Sequence, residues 1–431
     1  MKYYLAIDIG ASSGRHIVGW KEGGAWNTQE VYRFPNGMKQ TQHGLVWDTD
    51  EIFSHIKSGI RAAMEGFGKL ESLAIDTWGV DYVLMKGSEI VRPHFAYRNP
   101  RTEKAVEQVH ALISFRELYA RTGIQFASYN TVYQLYADKM SGSLDGVTDF
   151  LMLPEYFSYL LTGVKRKEYT IATTTGLVNA KTQAFDGEIV SRLGFPDIFP
   201  ALENAGAPVG ELKREIAKEV GGQTEVRLCA AHDTACAFEA VVCPQDSLIL
   251  SSGTWSLLGA KLKKANVSEE SMRCNFTNEG GVGYVRYLKN IMGMWLVNGI
   301  VKKHGIGFPE AVSLAEQSSY TGLFDVNDGT LTAPEDMETA VRGLLKEEPP
   351  KTLGDVLSSV YHSLANSYRL STEEIEEVLG RSFSKLCIVG GGAKNAYLNR
   401  LTEEYTGKQV IALPIEATAI GNLKSQTEGK Q

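Results

Sequence analysis

The sequence predicts a mixed α/β protein of two lobes, and three observations support this fold class. At 431 residues, the chain exceeds the size that a single hydrophobic core usually supports. Strand-like and helix-like segments alternate between residues 70 and 230, which is typical of mixed α/β architecture. A unit of apolar strand, Gly-rich polar turn and second strand occurs at residues 3–20 and returns at residues 246–262. We therefore predict one lobe at residues 1–243 and a second at 244–431.

The individual elements follow from local patterns. Tyr3 to Ile9 is a short apolar run, GASSG is a turn, and His16 to Trp20 is a second run, so this region predicts a β-hairpin. The second unit repeats the pattern with SLIL, SSGTW and SLLGAKL. Near the end, Lys385 to Val389 predicts a strand, Asn395 to Tyr405 a helix, and Val410 to Leu413 another strand.

Charge and hydropathy narrow the function classes. The formal net charge of -7 argues against a sequence-independent grip on nucleic acid, which requires a basic face. Asp8 interrupts the N-terminal apolar run, and no stretch of roughly 18 apolar residues occurs. We expect a cytoplasmic protein that binds small molecules and neither nucleic acid nor membranes. The oligomeric state stays open.

The cysteines predict no covalent or metal framework. Five cysteines without a C-x-x-C pair fit neither a disulfide framework nor a zinc site, which favours a reducing compartment. Cys229, Cys236 and Cys243 recur every seven residues, and we expect them to be core positions without a function.

The turn of the first hairpin is a candidate phosphate site. After Asp8 it combines glycines, hydroxyls and one fixed positive charge, which together can surround phosphate oxygens. The residues are Gly10, Ser12, Ser13, Gly14 and Arg15. The spacing is neither that of a Walker A loop nor that of a dinucleotide fingerprint. The alternative is a plain hairpin turn.

Two segments of the predicted second lobe have related chemistry. Ser251 to Thr254 forms a polar tip whose hydroxyls could donate to phosphates. Gly390 to Gly392 lies between a strand and a helix, where missing side chains leave room for a flat ring and the helix offers N–H donors. The alternative for these glycines is a tight strand-to-helix turn.

The segment Ala230–Thr234 provides a candidate general base. Asp233 follows an apolar strand and opens a helix-like run, where the helix N-terminus favours an ionised carboxylate. Asp233 could instead only cap the helix. A hydrolase triad with His232 is not supported, because triads are defined by spatial geometry and no Gly-x-Ser-x-Gly elbow occurs.

The segment Asp76–Asp81 is a candidate sugar site. It brings two carboxylates, the Trp78 indole and Gly79 together, and sugars are held by such mixtures of acceptors and aromatic faces. A glycosidase is the alternative, but phosphate loops would have no purpose there. We expect a divalent cation with the phosphates, its waters held by Asp8 and Asp233, and no protein-ligated transition metal.

Long motifs along residues 1 to about 422 resemble the FGGY carbohydrate kinases of the actin-like ATPase superfamily. They are IDIGASSGR, IDTWGVDY, AYRNPRT, TGIQFASYNTVYQL, LMLPEYFSYLLTG, AAHDTA, SSGTWSLLG, NFTNEGGVG, LKNIMGMWL and VGGGAKNAYLNRLT, followed by IEATAIGN. The resemblance implies two actin-like (ribonuclease H-like) lobes with a cleft between them.

The resemblance also implies an activity, which is phosphorylation of L-rhamnulose by ATP with Mg²⁺ to L-rhamnulose 1-phosphate in rhamnose metabolism. Carried over by motif, the ATP phosphates would meet Ala11, Ser12, Ser13, Gly14, Arg15 and Thr254, and the adenosine would meet Gly391 and Gly392. The sugar would be lined by Gly79, Asp81, His232, Asp233, Thr234 and Asn290, with Asp233 as base. Asn298 stands where a glutamine is often found near the nucleotide, and its side chain is shorter.

Three alternatives accompany this interpretation. The enzyme could act on another ketose or polyol, such as L-fuculose or L-xylulose. It could be a catalytically weakened relative, or an ATP-driven conformational protein of the actin and chaperone type, against which the sugar-side motifs argue.

The sequence after EATAIGN departs from the family pattern. Where the family continues with a further helix, this chain reads KSQTEGKQ. We therefore expect a shortened end, a second lobe that lacks one packing element, and an exposed apolar face that lowers stability.

Overall fold

The computed structural model describes residues 1–244, 246–413 and 416–428. Within these ranges the strands are β1 (Tyr3–Ile9), β2 (Ser13–Glu22), β3 (Ala25–Pro35), β4 (Lys39–Thr41), β5 (Gly44–Val46), β6 (Leu70–Thr77), β7 (Tyr82–Lys86), β8 (Glu89–Val91), β9 (Asp149–Met152), β10 (Pro208–Glu211), β11 (Glu225–Arg227), β12 (Ser247–Ser252), β13 (Trp255–Leu262), β14 (Thr277–Gly280), β15 (Val285–Met292), β16 (Lys385–Val389) and β17 (Gln409–Ala412).

The helices of the same ranges are α1 (Thr49–Phe67), α2 (Glu103–Leu112), α3 (Phe115–Thr122), α4 (Thr131–Met140), α5 (Leu153–Thr162), α6 (Tyr169–Ala172), α7 (Gly187–Leu193), α8 (Arg214–Val220), α9 (Asp233–Ala240), α10 (Glu269–Arg273), α11 (Trp295–His304), α12 (Phe308–Glu316), α13 (Met337–Leu344), α14 (Leu353–Leu379), α15 (Ala396–Thr406) and α16 (Ala417–Glu428). The mixed α/β composition predicted from the sequence is confirmed. None of the described helices has the length and apolar content that a membrane crossing requires.

The chain divides into two compact units. The first contains Met1–Ala240, Lys261–Tyr287 and the described residues from Ala417 onward, and the second contains the described residues of Val241–Ala260 and Leu288–Glu416. The sequence places its boundary at residue 243. In the structure, the chain leaves the first unit after residue 240 and returns to it twice.

The first six-stranded sheet has the order β10-β11-β6-β1-β2-β3. β1 and β2 form the predicted antiparallel hairpin, and β6 pairs with β1 in parallel. The register places Asp8 opposite Arg15 on β2 and opposite Asp76 on β6. Because the carboxyl ends of parallel strands meet at one edge of a sheet, two carboxylates come together there.

The second six-stranded sheet has the order β14-β15-β13-β12-β16-β17. β12 and β13 form the predicted second hairpin, and β16 pairs with β12 in parallel, as β6 does with β1. The predicted recurrence of one plan is therefore confirmed. Helix α15 also agrees with the sequence, since Asn395 caps its first turn and Gly407 ends it in the left-handed conformation.

Helix α1 shows how sequence fixes the layer beside the first sheet. The Asp48 side chain accepts a hydrogen bond from the Glu51 N–H and caps the helix. Ile52, Ile56 and Ile60 recur at helical spacing and are buried. They belong to the apolar cluster that also contains Leu5 and Ile7 of β1, so the helix covers that sheet.

A helix occupies most of the polar segment after IEATAIGN, whereas the expectation that the second lobe lacks one packing element stays a prediction. Ala417 to Glu428 forms α16 in the first unit, although Ile415 and residues 429–431 lie outside the described residues. Gln426 is buried, donates through Nε2 to the Leu5 carbonyl at 3.0 Å and accepts at Oε1 from Ser72 Oγ at 2.7 Å. Gln426 therefore packs against the first sheet, although a glutamine in a polar segment resembles a solvated residue in the sequence.

The prediction of a chain without disulfides is wrong. Cys243 and Cys387, which are 144 residues apart in sequence, form a disulfide within the second unit. No spacing rule could reveal this pair, because the bond depends on the fold bringing β16 beside the segment after α9. Cys229 and Cys236 are fully buried, as predicted.

Candidate active site

Three aspartates of the first unit, Asp8, Asp76 and Asp233, lie at one edge of the first sheet. Asp8 and Asp76 are the next-to-last residues of β1 and β6, and the Thr77 N–H donates to the Ala231 carbonyl at 3.0 Å, which brings the start of α9 to the same edge. Asp8 and Asp76 are buried, whereas the side chain of Asp233 is 30% exposed. The edge thus presents one accessible carboxylate backed by two buried ones.

The buried pair has partners within the protein. Arg15 donates to Asp8 Oδ2, and Asn422 Nδ2 donates to Asp76 Oδ2 at 2.6 Å. Asp76 Oδ1 has no hydrogen-bond partner among the described residues. Burial, and next the charge of Asp8, raise the pKa of Asp76 well above its usual range, and Asn422 lowers it only in part.

Asp233 is the first residue of α9. Its Oδ1 accepts from the Thr234 N–H at 2.5 Å and from Thr234 Oγ1 at 3.1 Å. His232 Nε2 lies 3.4 Å from the same oxygen, and Oδ2 has no hydrogen bond among the described residues. Thr234 is thus turned toward Asp233 and holds its orientation.

A buried ion-pair cluster fixes the other side of His232. Glu279 Oε2 lies 3.2 Å from His232 Nδ1 and 3.0 Å from Arg286 Nη2, and Arg286 Nη2 lies 3.1 Å from the same Nδ1. Arg286 is completely buried. Although burial raises it, the positive charge of Arg286 and the His232 hydrogen bond lower the pKa of Glu279 to about 2.

The carboxylate of Asp81 is engaged by four protein donors. Trp47 Nε1 and Trp78 Nε1 donate to Oδ2 at 2.6 and 2.9 Å, and Gln134 Nε2 donates to Oδ1 at 3.1 Å. The Tyr97 N–H completes the set at 3.2 Å. Burial raises the pKa of Asp81 to about 6 against these hydrogen bonds. The geometry therefore uses Asp81 to hold two indoles and a loop in place.

The backbone between β6 and β7 is tightly constrained. A Cβ on Gly79 would lie 3.0 Å from the Thr174 side chain. Val80 has φ 66°, a left-handed conformation that is a genuine outlier for a β-branched residue. Its N–H donates to Thr174 Oγ1 at 3.1 Å, and its carbonyl accepts from Thr131 Oγ1 at 2.7 Å. These contacts hold the strained turn.

The predicted phosphate loop, Ala11 to Arg15, covers the end of the turn between β1 and β2 and the first three residues of β2. It is closed by a hydrogen bond from the Gly10 N–H to the Ser13 carbonyl at 2.9 Å, and Ser12 is exposed. A Cβ on Gly14 would lie 2.2 Å from the Phe34 ring. Packing against Phe34 therefore requires a glycine at position 14, whether or not a phosphate approaches the backbone there.

The second unit holds the three consecutive glycines beside β12. A Cβ on Gly390 would lie 2.7 Å from the Ser252 carbonyl oxygen, and one on Gly392 would lie 1.9 Å from Ser252 Oγ. Gly391 is exposed and has nothing within 4 Å. Two of the glycines are thus explained by packing, and Gly391 leaves open space.

Three further predicted residues of the second unit have free polar ends. Thr254 lies at the tip between β12 and β13, and its carbonyl accepts from Gly293 and Trp295, each at 3.2 Å. Asn290 on β15 and Asn298 on α11 are half-buried. Among the described residues, none of the side chains of Thr254, Asn290 and Asn298 makes a hydrogen bond.

In the first unit the structure brings Asp8, Arg15 and Asp233 close enough to Asp76 to affect its pKa, and it adds residues that sequence reasoning missed. Asp76, the first residue of the candidate sugar segment Asp76–Asp81, lies opposite Asp8 in the sheet. Glu279 occurs in the motif NFTNEGGVG, which assigned it no role, and Asn422 ends the motif IEATAIGN. Arg286 carries no sequence signal, because it sits in an ordinary strand and only its partner at residue 279 explains it.

Comparison with known proteins identifies the family. Residues 3–239 match the N-terminal domain of the FGGY family of carbohydrate kinases, and residues 248–427 match its C-terminal domain. A rhamnulokinase of Halalkalibacterium halodurans is 41% identical over 99% of this chain and 93% of its own. A rhamnulokinase of Oceanobacillus iheyensis is 40% identical over 97% of this chain and 91% of its own.

Solved structures show the same fold. A ligand-bound xylulose kinase from Lactobacillus acidophilus has a TM-score of 0.81 at 14% identity and covers 100% of this chain and 89% of its own. Plasmodium falciparum glycerol kinase with ADP has a TM-score of 0.78 at 14% identity and covers 99% and 89%. The chain belongs to the FGGY family of carbohydrate kinases and is a sugar kinase, as the sequence motifs predicted, and it shares the fold of these two solved kinases.

Proposed function

We propose that this protein transfers the γ-phosphoryl group of ATP to the terminal hydroxyl of L-rhamnulose and forms L-rhamnulose 1-phosphate. Membership of the carbohydrate kinase family supports the reaction class. The rhamnulokinase relatives, at 34–41% identity over nearly the whole chain, support this ketose as the substrate.

Asp233 is the proposed general base. The observation that carries this assignment is its exposure, since it is the accessible one of the three clustered carboxylates and its Oδ2 accepts no hydrogen bond from the described residues. Asp8 is paired with Arg15, and the raised pKa of Asp76 makes it a poor site for a negative charge. A base must be ionised, reachable and oriented, and Thr234 and His232 orient Asp233.

The remaining sugar contacts are assigned by role. His232 is held by Glu279 and Arg286, and its Nε2 points toward Oδ1 of Asp233. His232 is proposed to bind a sugar hydroxyl beside the base. The Gly79 backbone and the Asn290 amide are proposed to accept and donate to other hydroxyls. Asp81 acts as a positioning residue through Trp78 and Gln134 rather than by touching the sugar.

The nucleotide contacts are proposed for the two polar turns and the glycine segment. The N–H groups and hydroxyls of Ala11, Ser12 and Ser13, with Gly14 and Arg15, bind phosphate oxygens, and Thr254 supplies another hydroxyl. Gly391 leaves space for the adenosine, and Gly392 is the neighbouring part of the same proposed site. Asn298 is proposed as a further amide donor to the nucleotide.

Mg²⁺ fits the donor set at the strand ends. Hard cations prefer carboxylate oxygens and water, and Asp8 and Asp233 lie where their charges both act on Asp76. When bound, Mg²⁺ neutralises charge on the phosphates during transfer. Asp8 and Asp233 would hold the waters of the ion. A cytoplasmic location, where ATP is available, is part of the same proposal.

A coupled ADP-release assay tests the substrate. It compares L-rhamnulose, L-fuculose, L-xylulose and glycerol with Mg²⁺ and ATP. We expect strong turnover with L-rhamnulose. Strong turnover on another sugar instead would overturn the substrate and keep the reaction class, and ADP release that no sugar stimulates would overturn both.

An Asp233→Asn variant tests the base. The amide keeps the size but cannot accept the proton, so kcat should fall by about 10²- to 10⁴-fold with unchanged circular dichroism. Asp197→Asn, which changes an exposed aspartate elsewhere in the first unit, is the matched control and should retain activity. Near-normal turnover of Asp233→Asn would refute the assignment.

A further inference from the structure

The first unit contains a cavity apart from the aspartate cluster. Its volume is about 600 Å³, within the range of small-molecule sites. It lies between strands β7 and β8, helix α4 and the segment that leads from Arg92 into α2. None of Asp8, Asp76 and Asp233 lines it.

The lining of this cavity is basic in a protein whose net charge is -7. It includes Arg92, Arg101, Lys104 and His43, and its carboxylate is Asp138. Asp138 is already used, since Tyr82 and Arg101 both donate to it. Arg92 pairs with Asp50 through Nη2 alone, and Lys104 has no partner among the described residues. The cavity therefore has unused positive charge for an anion.

The remaining wall suits an organic body rather than a bare ion. Leu84, Val91 and Met140 provide apolar surface, and the Arg101 guanidinium stacks on the Phe95 ring at 4.1 Å. Apolar and aromatic surfaces cover the C–H faces of a sugar, while cations bind its phosphate. We propose that this cavity is a regulatory site for a small sugar phosphate, with Arg92 and Lys104 binding the phosphate.

The cavity connects to the predicted sugar loop through one residue. Gln134 lines the cavity and accepts from Arg101 Nη2 at 3.3 Å. On its other side, Gln134 Nε2 donates to Asp81 Oδ1 at 3.1 Å and to the Val80 carbonyl at 3.3 Å. A ligand that draws Arg101 toward the cavity would weaken the hydrogen bond from Arg101 to Gln134 and so alter the hydrogen bonds of Gln134 to the strained turn at Val80. Binding of a ligand in the cavity should therefore change the KM for the sugar.

Isothermal titration calorimetry on the full chain tests binding. D-glucose 6-phosphate is the probe, inorganic phosphate and D-glucose are comparison ligands, and saturating Mg²⁺ and ADP occupy the nucleotide site. The double variant Arg92→Gln/Lys104→Gln removes two rim charges. Arg214→Gln/Lys218→Gln removes the same charges from α8, where both residues are exposed and lie outside the cavity.

We expect the probe to bind wild type one to one, D-glucose not to bind, and the cavity variant to weaken probe binding by about tenfold or more. The α8 variant should change the Kd less than about twofold. Binding of inorganic phosphate as tight as that of the probe would overturn the sugar phosphate as ligand. Absence of probe binding, or equal weakening in both variants, would overturn the site itself.

A second measurement tests regulation and rests on the proposed function. The KM for the sugar should change when the probe is present in wild type, and this change should vanish in Arg92→Gln/Lys104→Gln. A probe that binds but leaves the KM unchanged would refute the regulatory role. Because calorimetry needs no turnover, failure of the proposed substrate and failure of this site give different results.

Discussion

Replacing Glu279 by Gln should destabilise the protein by about 3 kcal/mol at pH 7. Two estimates give this magnitude. The difference between a pKa of 4.5 and about 2 corresponds to about 3 kcal/mol of preference for the ionised form in the folded state. Removing one partner from a buried ion pair, here leaving Arg286 fully buried without its counter-charge, costs about 3–5 kcal/mol. Urea unfolding monitored by circular dichroism measures the loss.

The pH dependence of this loss has a defined sign. Because the folded-state pKa of Glu279 is depressed, its contribution is complete above the unfolded value near 4.5 and disappears as the pH falls toward 2. The difference between wild type and variant should thus shrink to about 2 kcal/mol near pH 3.5. Glu30→Gln, which removes an exposed pair with Arg33, is the control and should cost less than about 1 kcal/mol. A loss no larger than that of the control, or one independent of pH, would refute the reasoning.

Three further predictions concern glycines and a buried histidine. Gly421→Ala should lower the free energy of unfolding by about 1–3 kcal/mol, because its Cβ would lie 1.7 Å from a backbone oxygen of α9. The control Gly343→Ala has open space in α13 and should leave the free energy of unfolding unchanged or raise it by up to about 1 kcal/mol. Equal melting temperatures of the two variants would contradict this prediction. Gly392→Ala should lower the melting temperature, because its Cβ would overpack against Ser252. Gly391→Ala should leave the melting temperature unchanged and weaken ADP binding in calorimetry. The reverse pattern would exclude the proposed space for adenosine. Burial lowers the pKa of His16 to about 3, so below pH 6.5 the unfolded chain binds a proton that the folded chain does not. This group should therefore lower the free energy of unfolding by about 1.4 kcal/mol for each unit that the pH falls between pH 6 and 4. In urea unfolding, the free energy of His16→Asn should depend less steeply on pH by that amount, and a dependence parallel to that of wild type would contradict the prediction.

The fold was predictable where local rules decide it. The two hairpins and the capped helix α15 depend on turns, caps and short-range patterns that a sequence displays. The wrong prediction concerns a pair that is distant in sequence. Cys387 finds Cys243 across 144 residues, and nothing near either cysteine indicates the other.

The residues of the candidate site were predictable from the sequence to different degrees, for the same physical reason. The residues proposed to reach a ligand, such as Asp233 and Thr254, keep polar side-chain atoms that no described residue hydrogen-bonds, so their chemistry is visible in the sequence. Groups that hold them are satisfied internally, and their need becomes visible only with their partners. Arg286 in a strand and Gln426 near a polar ending both resemble solvated residues, yet each is buried and bonds to the protein. Because an unpaired buried charge or amide is costly, residues of this kind are constrained by their partners in the fold. Mutations at Glu279 or Arg286 should therefore affect stability and His232 together, whereas Asp233→Asn should affect turnover alone.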